Sequence, residues 1–89
     1  MHRVLWLRAA REALARFWVN ADTVLRKAIT TASHRVDQRL QSDPWTEGES
    51  RYGDTRVLAE SPLTVYYEIH DDDMTVVVLQ VRVFQKRKK

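Results

Sequence analysis

Two arginines stand on the first and last strands of a predicted three-stranded unit in the second half of the chain. Arg56 belongs to a strand predicted over residues 55–60, Arg82 to one predicted over residues 74–84, and Arg51 precedes both in the connecting segment. A guanidinium is planar, stays charged at physiological pH and can meet two phosphate oxygens at once. These residues therefore indicate a sheet surface that holds phosphate, with Arg51 as a third contact.

The net positive charge is concentrated at the C-terminal end of the chain. Residues 74–89 carry five Lys/Arg and no Asp/Glu, giving +5, while residues 1–73 carry ten against twelve, giving −2 and a net charge of +3. Lys86 and Arg87 extend the positive patch of Arg82 into the tail. Such asymmetry favours a polyanionic partner, either nucleic acid or an acidic protein. A tail that only improves solubility is the alternative.

Composition excludes several classes of protein. The 89 residues are enough for one domain, predicted over residues 1–89, and 44% hydrophobic with 30% charged residues is typical of a globular chain. There is no cysteine, and the three histidines lack metal-ligand spacing, so we predict no metal and no cofactor. No apolar run is long enough to span a membrane, and a cytoplasmic location is expected.

The first half predicts a short strand followed by two helices. Residues 2–7 alternate and are rich in β-forming side chains, and Asp22 is placed to cap the second helix, which Asp43-Pro44 ends. The apolar residues recur at helical spacing in both helices. In the first they are Ala10, Leu14, Phe17 and Ala21, and in the second Leu25, Ile29, Ala32, Val36 and Leu40.

The second half predicts a long loop over residues 44–54 and then strands over 55–60, 63–70 and 74–84. Strict alternation in the last strand places two sets of side chains on opposite faces. We expect Val77, Leu79, Val81 and Val83 to meet the core, and Val76, Val78, Gln80, Arg82 and Phe84 to face away from it.

The order β-α-α-β-β-β indicates an α+β fold. We expect a mainly antiparallel sheet of about four strands, covered on one face by a helical hairpin. Arg56, Glu68 and Arg82 would then point to the helix-free face. There they form either a phosphate site or a cross-strand ladder of ion pairs, and the two are not exclusive.

This element order resembles the RelE/ParE superfamily, the toxin halves of bacterial type II toxin–antitoxin pairs. The resemblance rests on the runs GESR at 48–51, RVL at 56–58 and YEI at 67–69, together with Trp6, Ala10 and Leu14 in the first half. It extends over essentially the whole chain, and its specificity lies in the order of the elements and in the arginine-bearing strands.

The resemblance implies one of two activities. RelE-like toxins cleave messenger RNA at the ribosome, and Arg56 and Arg82 correspond to their phosphate-binding arginines. Cleavage also needs a base and an acid. Glu68 is the carboxylate best placed as the base, and Tyr66 shares the predicted face and could relay a proton.

ParE-like toxins inhibit DNA gyrase without nuclease residues. Both branches are neutralised by a cognate antitoxin, expected here on the exposed surface of the second helix and on an edge strand of the sheet.

Two departures count against cleavage. Residues 28–85 contain no lysine, although nuclease members carry lysines near the first strand of this unit, and Phe84 stands where they carry a residue that transfers a proton. Three hypotheses therefore stay open: an endoribonuclease toxin, a toxin that acts by binding gyrase or another protein, and an inactive toxin fold that only binds its partner.

Overall fold

The computed structural model describes residues 1–84, and the expected Lys86 and Arg87 contacts lie outside the described residues. The elements confirm an α+β fold, with five strands in place of the expected four. They are β1 (Arg3–Trp6), α1 (Arg8–Val19), α2 (Thr23–Ser42), α3 (Pro44–Glu47), β2 (Glu49–Tyr52), β3 (Thr55–Glu60), β4 (Leu63–His70) and β5 (Thr75–Val83).

The strands form one sheet in the order β1-β5-β4-β3-β2. The pairing of β1 with β5 is parallel and the other pairings are antiparallel. Buried residues of α1 and α2 pack on buried residues of β3, β4 and β5 in one hydrophobic core. The helices therefore cover one face of the sheet and leave the other face free, as predicted.

The segment predicted as a loop over residues 44–54 is ordered into α3 and β2. Asp43 starts the short helix by accepting a hydrogen bond from the Thr46 amide at 3.4 Å, and Pro44 occupies its first turn. Gly53 then turns the chain with a φ of 55°, a conformation that glycine adopts without strain, and so allows β2 to pair with β3. The prediction failed because four-residue elements are too short to show periodicity.

The long helix α2 agrees with its sequence pattern. The Asp22 carboxylate accepts a hydrogen bond from the Leu25 amide at 2.8 Å, and the stripe Ile29, Ala32, Val36 and Leu40 is fully buried. The shorter α1 buries only Ala10 completely. No helix among residues 1–84 is long and apolar enough to cross a bilayer.

The expected alternation of β5 is correct only in its second half. Val81 is buried and Val83 packs against the core, as predicted, but Val76 and Val78 are also buried, although they were expected to face away. Tyr66 pairs with Gln80 and Tyr67 with Val78, so Leu79 has no partner on β4 and forms a bulge. Because one extra residue reverses the alternation, the side chains before Leu79 have the opposite orientation.

Arg39 joins α2 to α3 and β3. Its guanidinium donates to Glu47 at 2.6 Å, to Glu60 at 2.9 Å and to the Ala59 carbonyl at 3.0 Å. Burial lowers the pKa of Arg39, but the hydrogen bonds to Glu47 and Glu60 more than offset this effect, and the pKa lies above its usual value. The cluster holds the two carboxylates beside the outer edge of β3.

We expect Arg39→Met to lower the free energy of unfolding by about 2 kcal/mol, because charged hydrogen bonds at a half-buried site are lost together. Arg35→Met is the matched control, since Arg35 is 64% exposed and makes a single 3.7 Å contact with Glu60. Its loss should stay below about 0.5 kcal/mol. Urea denaturation of both variants measures the difference, and equal losses would contradict the role given to Arg39.

Candidate functional site

The helix-free face of the sheet brings together three of the predicted site residues. Thr64 pairs with Arg82, Tyr66 with Gln80 and Glu68 with Val77 across β4 and β5, and cross-strand partners lie on the same face. Val65 and Tyr67 between them point into the core. Tyr66, Glu68 and Arg82 therefore share the helix-free face, as predicted. Val57 and Ala59 of β3 continue this face beside them.

Arg56 does not lie on this face, and the expected pairing with Arg82 is wrong. Arg56 is the cross-strand partner of Tyr67, which is fully buried on the helix-covered side. Its guanidinium donates to the carbonyls of Trp45 and Gly48 and lies 5.5 Å from the centre of the Trp45 ring. Alternation within β3 dictates this orientation, since Leu58, two residues further, is a core residue.

The carboxylate of Glu68 contacts a residue of its own strand. His70 approaches it at 3.4 Å, and no arginine among residues 1–84 lies within ion-pair distance of it. The cross-strand ladder of Arg56, Glu68 and Arg82 is therefore not formed, because Arg56 is on the other face. Glu68 remains partly exposed and accessible from solvent.

Arg51 lies at the β2 side of the sheet. It lines an open cavity of about 420 Å³ together with Glu49, Val57 and Thr64, which border the helix-free face. Arg51 is on β2 and Arg82 on β5, and the two strands β3 and β4 lie between them in the sheet. The two arginines therefore approach this face from opposite sides. No group of His, Cys, Asp or Glu side chains in residues 1–84 is arranged to hold a metal ion.

The chemistry of the face follows from this placement. Arg82 offers one exposed cation, Glu68 a carboxylate paired with an imidazole, and Tyr66 a half-buried phenol between them along β4. A single guanidinium can hold a phosphate or a carboxylate of a partner. Stabilising a pentacoordinate phosphorane requires cations converging on it, and Arg56 does not contribute one from this side.

On the helix-covered side, Tyr67 links β4 to α3. Its hydroxyl donates a 2.7 Å hydrogen bond to the Pro44 carbonyl, and the side chain is fully buried. Burial raises the pKa of Tyr67 above 10, and the neighbouring positive charge of Arg56 opposes the shift. The phenol therefore stays protonated in the folded protein at pH values where it ionises in the unfolded chain.

We expect Tyr67→Phe to lower the free energy of unfolding by about 2 kcal/mol at pH 7, because the buried Pro44 carbonyl loses its donor. The stabilisation from Tyr67 is fully present below pH 10 and falls as the pH rises through the raised pKa of the folded state, since the unfolded chain then binds fewer protons. The difference between wild type and variant should therefore shrink above pH 10. Urea titrations at pH 7 and above pH 10 measure it, and a constant difference would contradict the buried hydrogen bond.

Sequence reasoning missed the structural roles of Arg39 and Arg56 and the bulge in β5. Arg39 and Arg56 hold α3 and β2 in place, but neither position has a sequence signal that distinguishes it from a surface arginine. The bulge at Leu79 lies in the continuous apolar run Val76 to Leu79, which is compatible with either orientation of the strand. A continuous apolar run does not show which side chains face the core.

Comparison with known proteins identifies the fold. No family model and no curated protein matches the sequence. The solved structures that match include the toxin–antitoxin complex RelBE2 from Mycobacterium tuberculosis, with a TM-score of 0.76, 19% identity and coverage of 92% of this chain and 90% of that chain. The chromosomal ParDE toxin–antitoxin system from P. aeruginosa gives 0.75, 17%, 96% and 98%. The isolated E. coli RelE toxin gives 0.62, 14%, 99% and 89%.

Proposed function

From the RelE/ParE toxin fold of this chain, we propose that it is the toxin of a bacterial type II toxin–antitoxin pair and that it arrests growth by binding a protein target. DNA gyrase is the target to test first, and the cytoplasm is the proposed place of action. The observation that supports binding over cleavage is the position of Arg56 on the helix-covered face. It leaves Arg82 without the arginine partner expected from the resemblance.

Three further features support this proposal. Residues 28–85 contain no lysine, and Phe84 has no proton to transfer. Several exposed apolar side chains lie on strands or beside them, including Leu5, Leu7, Tyr52 and Phe84. Aromatic and aliphatic side chains beside a few charged groups are the usual composition of a protein–protein contact. A cognate antitoxin that covers such a surface would keep the toxin inactive.

Induced expression of the full chain tests the proposal. We expect growth arrest, relief by co-expression of the protein encoded in the adjacent reading frame, and no new codon-periodic 5′ ends in cellular RNA. The purified chain should inhibit DNA supercoiling by gyrase. Growth arrest with periodic cuts in translated messages would overturn the binding mechanism, and absence of arrest would leave an inactive toxin fold.

Ribosome-dependent RNA cleavage is the second candidate. It is favoured by the shared face of Tyr66, Glu68 and Arg82, which places a phenol, a carboxylate and a guanidinium on neighbouring strands. If this face cleaves RNA, Arg82→Ala and Glu68→Gln abolish the cuts, whereas Arg8→Ala, at an exposed position of α1, does not. If the chain acts by binding, no variant changes the RNA pattern, because there are no cuts to lose.

A further inference from the structure

A small cavity lies between α3 and the turn that joins β2 to β3. It encloses about 170 Å³ and is lined by Trp45, Ser50, Gly53, Asp54, Arg56 and Ile69. Ser50 is the cross-strand partner of Arg56, and Arg56 is the partner of the buried Tyr67, so these side chains lie on the helix-covered side of the sheet. The cavity is therefore separate from the helix-free face that carries the predicted site residues.

One nitrogen of the Arg56 guanidinium is available for a further hydrogen bond. Nη2 donates to the Trp45 and Gly48 carbonyls, and Nε is buried without a partner. Nε is the only side-chain polar atom of this kind in residues 1–84, so Nη1, which donates to no group in those residues, is accessible. Because Arg56 lines the cavity, Nη1 can donate to an acceptor placed there.

The same cavity carries a carboxylate. Asp54 is exposed in the turn, and it takes part in no ion pair within residues 1–84. An ionised carboxylate only accepts hydrogen bonds, whereas a guanidinium only donates them. A bound anion would be repelled by Asp54 and a bound cation by Arg56. The lining therefore suits a neutral group that has both acceptors and donors, and Trp45 and Ile69 add apolar surface for a flat ring.

We propose that this cavity binds the guanine base of a free nucleotide. The two oxygens of Asp54 accept from the adjacent N1–H and N2–H groups of guanine, Nη1 of Arg56 donates to O6, and the ring packs on Trp45 and Ile69. Adenine, cytosine and uracil each present a single donor group on the corresponding edge, so they leave one Asp54 oxygen without a partner. The site is independent of the toxin activity proposed for the chain.

The size and the surroundings of the cavity indicate a mononucleotide. Pockets that enclose a whole small molecule start at about 300 Å³, so this one holds the base and leaves the ribose and phosphate outside. The Asp71 carboxylate accepts from the Trp45 indole nitrogen at 3.2 Å, and Asp72 and Asp73 follow it in the chain. These negative charges beside the cavity disfavour a nucleic-acid strand with its run of phosphates.

NMR titration of the full ¹⁵N-labelled chain with GMP tests the assignment. We expect the amide signals of Gly53 and Asp54 and the indole N–H signal of Trp45 to shift as GMP is added. AMP is the matched control, since it has the same ribose and phosphate. Its Kd should be at least about tenfold higher, because adenine offers one donor group where the carboxylate accepts two.

A change of base preference supplies an independent measurement. Asp54→Asn should raise the Kd for GMP about tenfold or more and lower the Kd for XMP, because the new side-chain amide donates to the O2 atom that xanthine carries in place of the guanine N2 group. A variant that only disturbs the turn would lose one nucleotide without gaining the other. Asp72→Asn makes the same substitution at an exposed position outside the cavity lining, and it should change either Kd less than about twofold.

Three results would overturn the assignment. The first is the absence of shifts at Gly53, Asp54 and Trp45 at about 10 mM GMP, which excludes binding of even millimolar affinity. The second is an equal Kd for GMP and AMP, which removes the role of Asp54 in selecting the base. The third is the same set of shifts with inorganic phosphate alone, which makes the site an anion site. None of these results bears on growth arrest, so the toxin proposal is tested separately.

Discussion

Replacing Gly48 with alanine should lower the free energy of unfolding by about 3 kcal/mol, because the added methyl group has no space. A Cβ at this position would overlap the Tyr67 hydroxyl and would lie 2.7 Å from the Val57 carbonyl oxygen. Both neighbours are fixed, since Tyr67 is bonded to the Pro44 carbonyl and Val57 belongs to β3. The methyl group therefore separates α3 from the sheet.

Gly53→Ala is the matched control for this prediction. Gly53 has a positive φ of 55°, so alanine is strained there, but its Cβ would meet no atom within 4 Å. Gly53→Ala should lower the free energy of unfolding by about 1 kcal/mol, because a left-handed conformation is unfavourable by about that much for one non-glycine residue. Urea denaturation compares the two. Equal losses would show that packing at Gly48 is not the cause.

A double variant separates the clash from other effects of the substitution. In Gly48→Ala combined with Tyr67→Phe, the nearest obstructing atom is gone. The double variant should lose less stability than the sum of the two single variants, by about 1 kcal/mol. Strict additivity would indicate that Gly48 is required for another reason, such as the freedom of the chain after α3.

Replacing Arg56 with methionine should lower the free energy of unfolding by about 3 kcal/mol while leaving growth arrest intact wherever the variant is folded. The loss follows from two charged hydrogen bonds, to the Trp45 and Gly48 carbonyls, and from the contact with the Trp45 ring. Growth arrest should persist, because Arg56 faces the helix-covered side and not the surface shared by Tyr66 and Glu68.

Two further variants sharpen the test of Arg56. Arg56→Lys keeps the charge but cannot bond both carbonyls with a planar fork, so we expect a loss of about 2 kcal/mol. Arg51→Met, at the exposed edge strand β2, should cost less than about 0.5 kcal/mol. Chemical denaturation and growth curves at a permissive temperature measure both properties. If folded Arg56→Met no longer arrests growth, Arg56 takes part in the toxic activity and the prediction is wrong.

The fold was predictable because its long elements carry strong local signals. The stripe of α2 and its Asp22 cap repeat over 20 residues, and β4 alternates cleanly from Leu63 to Ile69. Each added turn or pair of residues strengthens such a pattern, so the type and order of these long elements were predicted correctly. The short elements α3 and β2 depend on the tertiary contacts of Arg39, Arg56 and Tyr67, and local sequence does not record these contacts.

The site was only partly predictable, for a geometric reason. Clean alternation in β4 placed Tyr66 and Glu68 on the helix-free face by sequence alone, and Arg82 was correctly placed because β5 is regular after its bulge. Arg56 was misplaced because a six-residue strand with one arginine does not reveal which face is buried. Its partner across the sheet, the buried Tyr67, decides that question.

Local periodicity and composition were enough to predict the α+β class, the helical hairpin, the three strands of the second half and the basic end of the chain. The bulge at Leu79 and the separation of Arg56 from Arg82 could be found only in the folded structure. These features arise from the register between strands, and register is set by the packing of both faces at once.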